Sequence, residues 1–352
     1  MDYGDIKKIL FKLNPENAHK IAELAMRVSV KIPFVSDYLA DNFCFIDTKL
    51  SQNIFGLNFL NPIGLAGGFD KNATMILPLS TMGFGFLEYG TLTPKPQIGN
   101  PKPRLFRLIE EKSIQNAMGF NNDGLDKIKA RATKLYPFSI PLIANIGKNK
   151  ITPNEMAIKD YEILVKGLDS CCDAFVINIS SPNTPNLRDL QSESFISELS
   201  TTLNGLTKKP LILKIAPDMS IDSAISLCLT AANSGFKGLI INNTSVDYSL
   251  TPNAKDFGGL SGQLIKNKSK ELFKEVAKEL FGKAILISCG GIDSANETYE
   301  RIKMGANLIQ IYTSFIYEGP SICKNINNQI LNLALSEGYE SISQAVGVDI
   351  RR

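Results

Sequence analysis

The segment Asn178-Ile179-Ser180-Ser181-Pro182-Asn183-Thr184-Pro185 places amides and hydroxyls directly behind the mostly apolar run from Asp173 to Ile177. An apolar run bounded by turn residues suits a strand covered on both faces, and in parallel α/β folds the groups past its carboxyl end face the ligand. The same arrangement recurs. Gly67-Gly68-Phe69-Asp70-Lys71, Gly90-Thr91, Asn145-Ile146-Gly147-Lys148 and Asn242-Asn243-Thr244 each close an apolar run, and Lys214 lies within one. Glycines there allow close backbone approach, lysines offer cations, and asparagines donate and accept hydrogen bonds together. A lone asparagine in such a place more often makes a turn than a ligand contact. Their joint occurrence at successive strand ends favours a shared binding face.

The last strand ends point to a phosphate. Ser288-Cys289-Gly290-Gly291-Ile292-Asp293 leads into Ser294-Ala295-Asn296-Glu297, a Ser-x-x-Glu capping box that starts a helix. Tyr312-Thr313-Ser314 adds hydroxyls after the next run, and Gly258-Gly259-Leu260-Ser261-Gly262 offers further backbone contacts. Glycines before a helix start expose backbone donors, the usual phosphate cradle after the seventh and eighth strands of a (β/α)₈ barrel. A phosphorylated cofactor is expected.

The elements that must position these groups are short apolar runs at 62–66, 84–89, 141–146, 174–179, 211–215, 238–241, 284–288 and 308–311. Between them, 154–168, 192–206, 220–234, 266–281 and 294–304 carry apolar residues at helical spacing. The alternation predicts an α/β chain folded as a (β/α)₈ TIM barrel, with an open doubly wound sheet as the alternative. The latter is disfavoured because no Gly-x-Gly-x-x-Gly follows the first strand.

At 352 residues and 44% hydrophobic content, the chain can bury a substantial core. The formal charge of +3 is small and the basic residues are dispersed, which argues against a nucleic-acid surface. The six cysteines lack metal-ligand spacing and read as reduced, buried thiols; no metal is expected. Asp5, Lys7, Lys8 and Lys12 interrupt the early apolar runs, so no signal peptide is read at the start. No apolar stretch approaches the ~18 residues of a spanning helix.

Two amphipathic helices are expected before the barrel. Ile6, Ile9, Leu10 and Leu13 share one face; Asn14-Pro15-Glu16 then supplies a cap and a first turn, and Ala18, Ile21, Ala22, Leu24, Ala25 and Val28 form a wide apolar face. These helices either cap the barrel or form an apolar slot or membrane-surface contact. His19, the one histidine, lies on the second.

Together these motifs resemble the dihydroorotate dehydrogenases, flavin enzymes of pyrimidine synthesis, and most closely the membrane-associated class that reduces quinone. The resemblance rests on Asp70-Lys71, Gly90 through Pro94, Pro103 through Leu108, Asn116 through Asn122, Asn145 through Lys150, Asn178 through Pro185, Lys214 through Asp218, Gly258 through Gly262 and Gly290-Gly291-Ile292. It covers nearly the whole chain. Serine at 181, where the soluble class uses a cysteine, and the N-terminal extension mark the quinone class.

The resemblance implies non-covalent FMN held by Gly67, Gly68, Phe69, Asp70, Lys71, Thr91, Asn145, Asn178, Lys214, Asn242, Gly262, Gly291, Tyr312 and Thr313. Many relatives carry threonine at the place of Asn242, where a backbone contact would persist. Orotate would meet Lys71, Asn116, Ala117, Met118, Gly119, Phe120, Asn178, Asn183, Asn243 and Thr244. Ser181 would be the base that takes a proton from C5 of dihydroorotate, through a relay, since no histidine partner is at hand. His19, Arg107 and Tyr312 would meet the quinone, with residues 1–43 as its entrance and 44–352 as the barrel. A peripheral position on the cytoplasmic side of the inner membrane follows. Fumarate- or NAD-linked dehydrogenases of the same substrate, tRNA dihydrouridine synthases and a non-catalytic flavin- or phosphate-binding module are the competing readings.

Overall fold

The computed structural model describes residues 3–351. Each apolar run forms a strand: β1 (Ile63–Asp70), β2 (Phe86–Leu92), β3 (Leu142–Ile146), β4 (Ala174–Asn178), β5 (Leu211–Lys214), β6 (Gly238–Ile241), β7 (Ile285–Cys289) and β8 (Leu308–Ile311). They pair in parallel, in chain order, and close into a barrel through β8–β1. The helices expected at 154–168, 192–206, 220–234, 266–281 and 294–304 are present, with ends within a few residues of the expected ones.

Side chains alternate across each strand. Leu142, Ala144 and Ile146 of β3 face the surrounding helices, whereas Ile143 faces the axis. The axial layer comprises Phe86, Ile143, Val176, Ile212, Ile240, Ile287 and Leu308, closed from below by Ile54 and Phe59 of the hairpin Gln52–Ile54/Leu57–Phe59. Phe59 meets Phe86 edge-on at 5.4 Å. Close packing of the plug requires glycine at 64, because a Cβ there would lie 2.2 Å from the Phe86 ring. Removing such a ring costs about 3–5 kcal/mol.

Two residues further along, the same inward positions change character. After Phe86 comes Glu88, after Ile143 Asn145, after Val176 Asn178, after Ile212 Lys214, after Ile240 Asn242, and after Leu308 Gln310, all buried. A dry plug is therefore overlaid by a polar floor at the C-terminal strand ends.

Above that floor lies an antiparallel three-stranded sheet, ordered Gly259–Gly262, Ser113–Asn116, Leu105–Leu108. The sequence patterns did not disclose it as a sheet. Helices Leu125–Thr133 and Ile322–Ser336 likewise lie outside the expected elements. The capping box at Ser294 is half formed: Ser294 Oγ accepts from the Glu297 N–H at 3.4 Å, but the Glu297 carboxylate turns to Arg301 Nε at 2.7 Å. Arg301, fully buried, draws that carboxylate more strongly than a backbone N–H would.

At the N-terminus, α1 (Tyr3–Lys12), α2 (Pro15–Ser29) and α3 (Val35–Phe43) precede the barrel. Asn14 caps α2, accepting from the Glu16 N–H. Glu16 then receives Arg104 Nε at 2.9 Å and Nη2 at 3.2 Å. Burial pushes the Glu16 carboxyl up, but the Arg104 hydrogen bonds and charge outweigh it, leaving the group below its usual range. Tyr3 and Lys7 of α1 donate to the Ile316 and Tyr317 carbonyls beyond β8. These ties hold the helices beside the cleft, yet Ile9, Ile21, Leu24, Val28 and Phe34 remain exposed. Among the described residues, no helix is long and apolar enough to cross a membrane.

Candidate active site

A cleft of about 1220 Å³, counting the part open to solvent, lies between the polar floor and the three-stranded sheet. Of the residues expected at a cofactor, Gly67, Gly68, Lys71, Thr91, Asn178, Lys214, Asn242, Gly262, Gly291, Tyr312 and Thr313 line it. Phe69, Asp70 and Asn145 stand behind the wall. The Phe69 ring packs on His19, Tyr312 and Phe315, and the Asp70 carboxylate accepts from the Asn72, Thr74 and Met75 N–H groups, fixing the turn after β1. Asn145 accepts from Thr91 Oγ1 at 2.5 Å and from Asn178 Nδ2 at 3.3 Å, so it orients two lining side chains.

Of the residues expected at the substrate, Lys71, Asn116, Met118, Gly119, Phe120, Asn178, Asn183, Asn243 and Thr244 line the same cleft. Ala117 contributes its carbonyl to Asn100 Nδ2 instead. Asn183 Nδ2 donates to Asn116 Oδ1 at 3.0 Å, joining the loop after β4 to the sheet above. Asn243 Nδ2 donates to Ser180 Oγ at 3.0 Å and to Asn178 Oδ1 at 3.3 Å, joining it to the end of β6. Ser181, 6% exposed, lines the cleft and accepts from the Asn183 N–H at 3.3 Å. Desolvation pushes Lys71 down to about 8, so its ammonium favours an anionic partner.

The quinone set is split. Tyr312 lines the cleft, its hydroxyl 3.4 Å from the Gly68 carbonyl. His19 reaches it through Phe69, ring centroids 5.1 Å apart, and burial lowers its pKa to about 4, so the ring is neutral. Arg107 donates to the Phe11 and Leu13 carbonyls and lies over the Phe11 ring, capping the end of α1.

Buried polar atoms test whether a ligand belongs here. Asn242 Nδ2 and Oδ1, Asn183 Oδ1, Gln310 Oε1 and Ser314 Oγ have no partner among the described residues, and all four residues line the cleft. Unpaired buried polar atoms are costly, so their clustering fits a cleft built around a polar ligand. Gly290 and Gly291, with φ of 114° and 72°, bend the chain at the far end, and a Cβ on Gly291 would meet Lys266 Cα at 2.4 Å. Ser261 and Thr313 hydroxyls, 2.9 Å apart, sit beside that turn. The end is polar and glycine-lined.

Sequence reasoning missed several members. Glu88 and Gln310 were readable from parity, each standing two residues beyond an axial apolar residue. Arg188 was not: it donates to the Ser180 and Thr244 carbonyls and to Asp218, binding three strand-end loops together through contacts without sequence periodicity.

Fold and site define a closed (β/α)₈ barrel with a polar cleft between its C-terminal strand ends and a small sheet. The family model described as dihydroorotate dehydrogenase matches residues 49–333, and the chain belongs to that family. It is 58% identical over 351 residues to the dihydroorotate dehydrogenase (quinone) of a Nitratiruptor species, covering 100% of each chain. It is 47% identical to the enzyme of the same name from Helicobacter acinonychis (strain Sheeba), again covering 100% of each. A crystal structure of DHODH from Eimeria tenella in complex with ferulenol superposes with a TM-score of 0.84 at 34% identity, over 98% of this chain and 99% of that one.

Proposed function

We propose that this chain oxidises dihydroorotate to orotate, in pyrimidine synthesis, and delivers the electrons through FMN to a membrane quinone. The observation that carries the reading is the floor of Asn178, Lys214, Asn242 and Gln310, four polar side chains that line one cleft, two of which, Asn242 and Gln310, have buried polar atoms without a partner among the described residues. End-to-end likeness to relatives named for this reaction supports the substrate and acceptor.

FMN, when bound, accepts hydride from C6 of the substrate and returns the electrons to a second acceptor. Gly67, Gly68, Lys71, Thr91, Asn178, Lys214, Asn242 and Tyr312 would hold its ring system, Asn242 by backbone or side chain, and Gly262, Gly291 and Thr313 its phosphate. Phe69, Asp70 and Asn145 would support these from behind. Asn116, Asn178, Asn183 and Asn243 would bracket the substrate ring, whose alternating carbonyl and N–H groups need partners able to donate and accept. Lys71 would meet its carboxylate, with Ala117, Met118, Gly119, Phe120 and Thr244 closing the pocket.

Ser181 would take the C5 proton. A free hydroxyl is a weak base, so the proton must pass onward as it arrives, and the Asn183 N–H holds Oγ in place for the transfer. Lys214 contributes positive charge where electron density accumulates.

Residues 1–43 would form the quinone entrance to a barrel of residues 44–352. Support comes from the exposed Ile9, Ile21, Leu24 and Phe34, from the neutral His19 and from Tyr312 at the cleft wall. Arg107 would act there by shaping the end of α1. Apolar side chains on helices too short to span fit peripheral contact with the cytoplasmic face of the inner membrane. Heat release of the chromophore tests the cofactor: the purified protein yields one FMN per chain, and a folded protein that takes up no FMN refutes the reading.

A further inference from the structure

Beneath the cleft, Glu88 is a buried carboxylate that the reaction above does not use. It projects from β2 into the barrel axis and is 1% exposed. Three donors converge on it: Asn145 Nδ2, Gln310 Nε2 and, at 3.6 Å, the Lys214 ammonium. Two of those side chains, Lys214 and Gln310, line the cleft; Glu88 does not. Glycine at 67 makes room for the arrangement, because a Cβ there would lie 2.2 Å from Glu88 Oε1 and 2.7 Å from Asn145 Nδ2.

An ion buried this deeply is retained against a large desolvation cost, and an apolar or amide residue would fill the same space without it. The carboxylate has two effects that such residues lack. It fixes the amide orientation of Asn145 and Gln310, since an ionised carboxylate accepts only. It also makes the Glu88–Lys214 pair neutral as a unit, so the cleft sees a cation whose field is partly cancelled from below.

We infer that Glu88 is a positioning residue that sets the redox potential of the bound flavin by partly cancelling the Lys214 charge and fixing the floor amides. Reduction adds negative charge to the cofactor, and an uncompensated cation beneath it favours the reduced state. Full positive charge would make the flavin easier to reduce and harder to reoxidise. Glu88 holds it between the two half-reactions.

The inference rests on the flavin reading of the cleft, and the test separates the two. The midpoint potential of FMN-loaded protein is measured by spectroelectrochemical titration for wild type, Glu88→Gln, Glu88→Asp, and the double variant Glu88→Gln with Lys214→Met. Glu88→Gln raises the potential by about 30 mV or more, a tenfold shift toward the reduced form for a two-electron couple. Glu88→Asp stays closer to wild type, and the double variant moves back toward or below it. An unchanged potential in folded, loaded Glu88→Gln overturns the role of Glu88 and leaves the flavin reading intact. Failure of wild type to bind FMN overturns the flavin reading itself. If Glu88→Gln does not fold, the double variant decides: removing the stranded cation restores soluble, folded protein, and no recovery overturns the proposal.

Discussion

At the scale of single residues, roles divide between groups that touch the cleft and groups that aim them. Ser181 belongs to the first kind. Ser181→Ala retains FMN and orotate binding but slows flavin reduction by at least ~100-fold, the lower range for losing a general base. Stopped-flow absorbance follows that step, and an unchanged rate removes Ser181 from the chemistry. Lys71 gives a pH signature. A carboxylate binds the protonated ammonium, and the free site loses that proton as pH rises through about 8. Orotate affinity is therefore flat below that value and falls by about tenfold per pH unit above it. Spectral titration of the flavin with orotate measures this; constant affinity through the range contradicts the assignment.

At the scale of elements, the N-terminal helices are anchored by a few strong ties while most of their apolar surface stays open. The Glu16–Arg104 pair is nearly buried, and Arg104 also donates to the Ile98 and Asn100 carbonyls, whose loop reaches the cleft where Asn100 Nδ2 donates to the Asn183 carbonyl. Deleting residues 1–40 is expected to impair reoxidation by long-tailed quinone and lipid binding far more than reduction by dihydroorotate. Timing the two half-reactions on one FMN-loaded preparation checks this. Equal quinone rates with and without the segment make the extension a cap. How far the sequence disclosed these elements follows from the range of the contacts. Barrel strands such as Leu142–Ile146 were legible because each is a local apolar run ending in a polar turn. The sheet joining Gly259–Gly262 to Ser113–Asn116 was not, because neither segment is an apolar run and the two pair across a wide sequence gap. Glu88 was legible in principle, since Phe86 and Glu88 share a strand face, yet an acid inside an apolar run reads locally as an interruption.

For the whole molecule, plug, floor and cleft form one stack along the barrel axis, so binding at the top couples to stability below. The floor leaves Asn242 and Gln310 atoms without a partner among the described residues. Stripping the cofactor should lower the melting temperature, and readdition at a hundredfold its dissociation constant should restore about 2.7 kcal/mol. Calorimetry with and without FMN reads the difference, and coincident transitions at saturating FMN contradict a preformed cofactor floor.

The most direct test of the whole account is anaerobic. FMN-loaded protein is mixed with dihydroorotate, the flavin absorbance is followed, and quinone, fumarate and NAD are then offered separately to the reduced protein. Bleaching by dihydroorotate with stoichiometric orotate, followed by rapid recovery with quinone and little with fumarate or NAD, is the predicted result. A flavin that dihydroorotate leaves oxidised, or one that fumarate or NAD restores faster than quinone, contradicts it.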